Sequence, residues 1–239
     1  MARTHSSVGT RSGALGDVIY YTRFGKTFVR RRAESFNDCQ SEAQLRQRAL
    51  FKAMQQTSAL FGIILQRGLT KYAHSQGHTE ANEFASINKQ HFTFSDGVVH
   101  INYPALQLAI GPLPPVTFIR CHANGLHVQL SFSPDLAADK ANPDDVVHIY
   151  AVSPQAEVCQ LMVSVERHAG QTSFTLPDLR GDVDNNVAVT FYLYAIVESA
   201  TTSCIPTLSA DEKRVNKQYR NINRRVSNAV YIDDFTIDY

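Results

Sequence analysis

The chain lacks the features that would mark a membrane-spanning or secreted protein. No stretch approaches the roughly 18 to 20 consecutive apolar residues that a spanning helix needs, and the run 59–65 is far shorter. No apolar core follows the arginines of the first 13 residues, as a secretory signal would require. These absences predict a soluble protein that is made in the cytoplasm.

Cysteines are few, and the short motifs of common enzyme classes are missing. Cys39, Cys121, Cys159 and Cys204 are widely separated without a C-x-x-C spacing, which predicts buried, reduced thiols rather than a zinc or redox site. No G-x-S-x-G, Walker loop or G-x-G-x-x-G occurs, and Cys39 has no histidine near it in the sequence. We therefore expect neither an enzyme nor a cofactor. The alternative is an active site assembled only in three dimensions.

One histidine pair has the spacing of metal ligands on a helix. His74 and His78 lie four residues apart with Glu80 and Glu83 nearby, a spacing that would place both imidazoles on one helix face. Gly77 between them favours a polar loop between two helices instead. A second pair, His122 and His127, flanks the Asn124-Gly125 turn and is expected to occupy exposed polar positions.

One acidic segment is similar to an oxygen-rich calcium loop. Asp178, Asp182 and Asp184 are followed by Asn185 and Asn186, but no glutamate follows to close the coordination sphere. The segment therefore predicts a turn, and no metal is expected.

The charges that are present are strongly segregated, although the net charge is only +1. Residues 1–71 carry 12 Lys and Arg against 4 Asp and Glu, whereas residues 72–212 carry 5 against 15. Residues 213–239 are basic again, with 6 against 3. Such segregation indicates that the basic part meets nucleic acid, or that copies dock basic end to acidic body. The alternative is that the charged segments form unrelated faces in contact with water and have no common binding role.

The N-terminal part predicts a basic β-hairpin that leads into a long helix. Residues 1–16 are rich in Gly, Ser and Arg and predict a flexible basic arm. Residues 17–32 read as two strands around Phe24-Gly25. Ser41 and Gln44 have the spacing of a capping box, and an apolar stripe then continues to a stop at Gly68. The stripe consists of Leu50, Met54, Phe61, Ile64 and Leu65.

The next segments predict a helical hairpin, a β-hairpin and a linker. Residues 71–79 predict a loop, and residues 80–89 a second helix capped by Thr79. Alternation around Asp96-Gly97 predicts two strands within 92–103. The proline-rich segment 104–115 predicts one short strand and the linker between domain 17–103 and domain 116–239.

Residues 116–239 predict seven strands of an antiparallel β-sandwich, and the predicted fold class is α+β. Residues 187–197 are apolar on both faces, which is typical of a central strand covered on both sides or of one whose outer face meets a partner. A long basic insertion, 199–225, precedes the last strand. The predicted strands are 116–122, 126–132, 146–152, 158–166, 172–176, 187–197 and 226–232.

The order of several motifs resembles a bacterial family that is widespread in Bacteroidota and known only as a domain of unknown function. The motifs are Ser12-Gly13-Ala-Leu-Gly16, Thr22-Arg-Phe-Gly25-Lys26, the helix opening 41–52, Gly111-Pro-Leu-Pro114 and Val226-Ser-Asn-Ala-Val-Tyr231. The resemblance covers nearly the whole chain. It implies N-terminal strands and a helical hairpin joined to an immunoglobulin-like or fibronectin-like sandwich, and it supplies no catalytic or ligand residues to carry over to this chain.

Two functional hypotheses follow. The first is a non-catalytic structural or assembly protein that self-associates, or docks on a larger particle, through its basic arm and hairpin. The second is a nucleic-acid-binding protein in which cations contact phosphates and Tyr20, Tyr21, Phe24 and Phe28 stack on bases. The favoured alternative for these four aromatic side chains is that they form the buried face of the hairpin against the helix. The hypotheses share a set of candidate interaction residues: Arg3, Arg11, Arg23, Lys26, Arg30, Arg31, Arg32, Lys213, Arg214, Lys217, Arg220, Arg224 and Arg225.

Overall fold

The fold is described from a computed structural model covering residues 3–5, 10–23, 26–35, 38, 40–138, 140–179, 188–199 and 226–237. The chain divides into two compact units, residues 1–47 and 48–239. Both units contain antiparallel sheets, and the second also contains helices, so the fold is α+β.

The first unit is built on a four-stranded antiparallel sheet in the order β1-β2-β3-β4, called here the N-terminal sheet. Its strands are β1 (Arg3–His5), β2 (Thr10–Leu15), β3 (Val18–Arg23) and β4 (Lys26–Arg31). The β3–β4 hairpin is confirmed, with its turn outside the described residues. The expectation of an arm without regular structure is wrong for β1 and β2. The Gly16-Asp17 turn places β2 antiparallel to β3, and the backbone hydrogen bonds between the two strands stabilise β2. The sequence of the arm does not indicate this pairing.

Helix α1 (Glu42–Leu60) begins as the sequence predicts. The amide of Gln44 donates to Ser41 Oγ at 3.4 Å, and the amide of Ser41 donates to Gln44 Oε1 at 3.3 Å, which completes a capping box. Helix α2 (Gly62–Gly68) ends at the predicted stop, but helical geometry resumes after one residue in α3 (Thr70–Ser75). The predicted loop at 71–79 is therefore wrong for residues 71–75 and confirmed for residues 76–79. The reason is packing: Leu69 and Ala73 are both fully buried, and this extends the apolar stripe.

Helix α4 (Glu80–Asn88) and a small hairpin follow as predicted. The amide of Asn82 donates to the hydroxyl of Thr79 at 3.4 Å, which confirms the N-cap. Strands β5 (Phe92–Ser95) and β6 (Val98–Ile101) flank Asp96 and Gly97, both of which have positive φ.

The rest of the second unit contains two larger antiparallel sheets. One has the order β11-β8-β7 and the other β10-β9-β12-β13. The last strand begins later than predicted, because Val226 and Ser227 form isolated bridges to Glu198 and Leu113 instead of joining it. The strands are β7 (Thr117–Asn124), β8 (His127–Ser133), β9 (Val146–Ser153), β10 (Val158–Glu166), β11 (Gln171–Thr175), β12 (Val189–Glu198) and β13 (Val230–Ile237).

Strand β12 explains how the second unit holds two apolar cores. Phe191 and Leu193 face a core shared with the three-stranded sheet, where they meet Val128. Tyr194 and Ile196 point to the opposite side and belong to a core formed with the helices. The four-stranded sheet is therefore covered on both faces, as the apolar sequence of this strand predicted.

The proline-rich segment does not separate two domains. Leu106, Leu108 and Ala109 are buried in the core that the helices share with the four-stranded sheet. A 3₁₀ turn at Tyr103–Ala105 replaces the predicted short strand. The prolines interrupt hydrogen bonding without preventing burial, so the linker prediction is wrong and residues 48–239 form one unit. Among the described residues, no helix is both long and apolar enough to cross a membrane.

Candidate interaction surface

The N-terminal sheet presents two exposed faces and has no buried core of its own. Every side chain described between residues 12 and 35 is exposed or partly exposed, and none is buried. Four of its large apolar side chains are exposed, namely Leu15, Tyr21, Phe28 and Val29. Sheets normally bury one face, so this one has apolar surface left to cover.

One face is defined here as the Phe28 face, which consists of Ala14, Ile19, Tyr21, Phe28 and Arg30. Tyr21 and Phe28 are Cα partners on β3 and β4, and their rings stack with centroids 5.3 Å apart. Ile19, Tyr21 and Arg30 line a shallow depression beside this pair. The face therefore combines an exposed aromatic pair with a cation.

The other face is defined as the Val29 face, which consists of Leu15, Val18, Tyr20, Val29 and Arg31. These positions alternate with those of the Phe28 face along each strand, and the register pairs Leu15 with Val18 and Tyr20 with Val29. Leu15 is 60% exposed and Val29 is 57% exposed. The guanidinium of Arg31 lies 3.1 Å from the carboxylate of Glu34, so the charge of Arg31 is paired within the chain.

The sheet brings together the basic residues predicted in the first 32 positions. Arg3 is on β1, Arg11 on β2, Arg23 on β3, and Lys26, Arg30 and Arg31 on β4, followed directly by Arg32. The backbone register pairs Arg23 with Lys26, and it separates Arg31 from Arg30 by alternation, as the sequence indicated. The second basic cluster, namely Lys213, Arg214, Lys217, Arg220, Arg224 and Arg225, lies outside the described residues.

The aromatic side chains of the hairpin differ from the expectation that favoured burial. Tyr21 is 43% exposed and Phe28 is 41% exposed. Tyr20, on the opposite face, is partly exposed, and Phe24 lies outside the described residues. The reading of these rings as a buried hairpin face is therefore wrong for Tyr21 and Phe28, and their rings are open to a partner.

The histidines proposed as metal ligands are each held by one carboxylate. Nδ1 of His78 lies 2.6 Å from Glu83, and Nε2 of His74 lies 3.5 Å from Glu80. These pairs connect the end of α3 to α4. Nowhere in the described part of the chain do three or more His, Cys, Asp or Glu side chains form a group that could hold a metal ion.

The other candidate residues occupy ordinary positions in the sheets or fall outside the structure. His122 and His127 are exposed on β7 and β8, as predicted. Cys121 and Cys159 are partly rather than fully buried, and burial raises the pKa of both thiols to about 12. Outside the described residues lie Cys39, Cys204 and four positions of the segment that is similar to a calcium loop, namely Asp182, Asp184, Asn185 and Asn186.

A polar chain across the four-stranded sheet was not found from the sequence. Ser164 Oγ lies 2.8 Å from Nδ1 of His148, whose Nε2 lies 3.2 Å from the carboxylate of Glu198. The same carboxylate oxygen lies 3.4 Å from Nε of Arg67 on α2. The residues come from three strands and a helix, so no spacing in the sequence links them. Arg67 and His148 both contact the carboxylate of Glu198. Arg67 therefore neutralises this buried carboxylate and connects α2 to the sheet.

Arg167 forms a second polar junction that the sequence did not indicate. Its side chain is fully buried, and its two Nη atoms donate to the carbonyl oxygens of Pro134 and Pro114 at 2.9 and 2.5 Å. Its Nε lies 3.5 Å from Asp145, which is also buried. Burial lowers the pKa of Arg167, opposed by Asp145 and Asp135. The guanidinium therefore joins three connecting segments of the second unit.

No family model, no curated protein and no solved structure matches the chain. The resemblance to the Bacteroidota family therefore stays a prediction.

Proposed function

We propose that the protein is a non-catalytic assembly protein that self-associates through its N-terminal sheet. One observation carries the proposal: the sheet exposes large apolar side chains on both faces and buries none of its described residues. A small sheet without a core is marginally stable in water, so it gains most by covering a face with a partner.

The partner is a second copy of this chain. The apolar side chains of the sheet support it, because Leu15 and Val29 are exposed on a face where Arg31 is paired with Glu34 of the same chain, so this face can meet its own copy. Among the described strands, three of the four edges of the two larger sheets in the second unit are less suited to strand addition. Register shifts occur in edge strands β7, β10 and β13, next to Ile119, Met162 and Ile232, and such bulges discourage strand pairing.

The second unit serves as the folded body of the assembly. Its sheet orders, β11-β8-β7 and β10-β9-β12-β13, support an immunoglobulin-like or fibronectin-like sandwich with helices added on one side. The cytoplasmic location expected from the sequence is part of the same proposal.

A nucleic-acid-binding function is the second candidate, and the Phe28 face favours it. An exposed, stacked pair of aromatic rings beside Arg30 provides the mixture of stacking and phosphate contacts that single-stranded nucleic acids use. Replacing Arg30, Arg31 and Arg32 by Gln would then weaken binding and reduce its salt slope by up to about three.

Light scattering on a size-exclusion column distinguishes the two. The full chain and a version lacking residues 1–16 are compared in low and high salt after nuclease treatment. The assembly proposal expects a nuclease-resistant oligomer that the truncation dissociates. A monomer that carries nucleic acid released by salt or nuclease would overturn it.

A further inference from the structure

We infer that the Val29 face packs against the Val29 face of a second copy, which leaves the Phe28 face outward. This inference rests on the proposed function, and it names the surface and the geometry that self-association uses. Two identical faces related by a twofold axis would form a closed dimer.

The distribution of charge between the two faces selects the Val29 face. On the Val29 face, Arg31 is the charged residue next to the apolar positions. Its guanidinium lies 3.1 Å from the carboxylate of Glu34, which balances its charge. The backbone position of Arg11 lies on the same face, at the end of the sheet away from Arg31. At that end the hydroxyl oxygens of Thr22 and Thr27 are 3.4 Å apart. The apolar half of the face can therefore meet its copy without opposing unpaired charges.

The Phe28 face is unsuited to the same contact. Arg30 belongs to it, and the register places the backbone positions of Arg3, Arg23 and Lys26 on the same side of the sheet. Two such faces would bring like charges together, which is unfavourable when water is excluded. An outward Phe28 face keeps those charges in solvent.

Edge pairing between two copies of β4 is also disfavoured. An antiparallel pair centred between Phe28 and Val29 would set Lys26 of one copy opposite Arg31 of the other. Like charges directly opposite each other destabilise a ladder. The contact is therefore between faces rather than between edges.

The size of the face sets the strength of the contact. Three strands of six residues and one of three residues cover about 340 Å² at ordinary strand spacing. Stable interfaces bury about 800 Å² on each partner, so this face has less than half of that area and suits a weak contact. We expect a reversible dimer with a dissociation constant in the micromolar range, on the order of 1 to 100 μM.

Adjacent residues of β4 provide a matched pair of variants. Val29→Asp places a carboxylate in the proposed contact, and Phe28→Asp places one on the other face of the same strand. Phe28→Asp also removes the stack with Tyr21, so a larger loss of dimer from Val29→Asp than from Phe28→Asp reports on the face and not on damage to the strand. Sedimentation equilibrium of the nuclease-treated full chain measures the dimer constant of each.

Val29→Asp is expected to raise the dissociation constant at least about 100-fold, because a twofold contact contains the change twice. Phe28→Asp is expected to change it less than about fivefold, since its carboxylate stays in solvent. A wild-type chain that is monomeric at every concentration would overturn both this inference and the proposed function. A wild-type oligomer that Phe28→Asp weakens as much as, or more than, Val29→Asp would overturn the face assignment alone.

Discussion

Replacement of Arg167 by Met should destabilise the second unit strongly. Methionine keeps much of the length of the side chain but removes every donor. The carbonyls of Pro114 and Pro134 then lose their partners, and buried Asp145 loses its cation. Loss of one member of a buried ion pair costs about 3–5 kcal/mol. Asp145 still accepts the amide of Asn142 at 3.0 Å, which favours the lower half of that range, about 3–4 kcal/mol.

Urea unfolding of the full chain, followed by far-ultraviolet circular dichroism, gives the free energy of unfolding. For a unit of this size, about 3–4 kcal/mol corresponds to a fall in melting temperature of roughly 6–16 °C. Arg120→Met is the matched control, because Arg120 is exposed on β7 and its loss should cost less than about 0.5 kcal/mol.

A double variant isolates the ion pair from the hydrogen bonds. Asp145→Asn removes the buried carboxylate that Arg167→Met would leave without its cation. Arg167→Met should therefore lower the free energy of unfolding by about 1 kcal/mol less in the Asp145→Asn variant than in the wild type. Equal effects of Arg167→Met and Arg120→Met would refute the reasoning, because the buried guanidinium would then contribute no more than a solvated one.

Three further predictions concern the second unit. Gly68→Ala should destabilise it by about 1–3 kcal/mol, because the new Cβ would lie 2.4 Å from the Cβ of Ala109. Gly62→Ala, in the same helix, meets nothing within 4 Å and should stabilise the unit by up to about 1 kcal/mol. Urea unfolding that finds Gly68→Ala more stable than Gly62→Ala would contradict the packing. Thr79→Ala should cost about 1 kcal/mol through loss of the cap of α4, and an unchanged urea midpoint would show that the cap contributes nothing. Cys159, whose pKa burial raises to about 12, should be alkylated at pH 8 at least about 100-fold more slowly than a free thiol; mass spectrometry showing rates within tenfold would contradict its burial.

Local signals in the sequence predicted local structure well. The capping box at Ser41, the cap at Thr79 and the Asp96-Gly97 turn each depend on side chains or backbone preferences within four residues, and all three are confirmed. The two-sided apolar pattern of β12 also predicted its central position, since a strand covered on both faces cannot alternate.

The errors arose where distant packing outweighs local preference. Gly68 ends α2 as predicted, but the helix resumes at Thr70, and the space beside Ala109 accepts only a glycine, so the residue also marks a close contact. Leu106 and Leu108 lie among prolines that suggest a linker, but the core of the second unit buries them. The contacts of Arg167 span up to 53 positions along the chain, which no motif could reveal.

The interaction surface was predicted only in part. Consecutive arginines and alternating aromatics identified the hairpin as the functional region, and the alternation assigned Arg30 and Arg31 to opposite faces. The sequence did not indicate β1 and β2, because their strand character depends on pairing rather than on apolar content. Their addition produces two faces of a sheet rather than a bare hairpin.

Amide hydrogen exchange at several protein concentrations tests the central claim most directly, namely that the N-terminal sheet is stabilised by a second copy. We predict that peptides covering residues 10–23 and 26–35 gain protection as concentration rises through the dimer constant, while peptides from β9 and β12 stay equally protected throughout. Slow exchange of the N-terminal sheet in a chain that sedimentation shows to be monomeric would contradict the account, as would fast exchange of that sheet in the dimer.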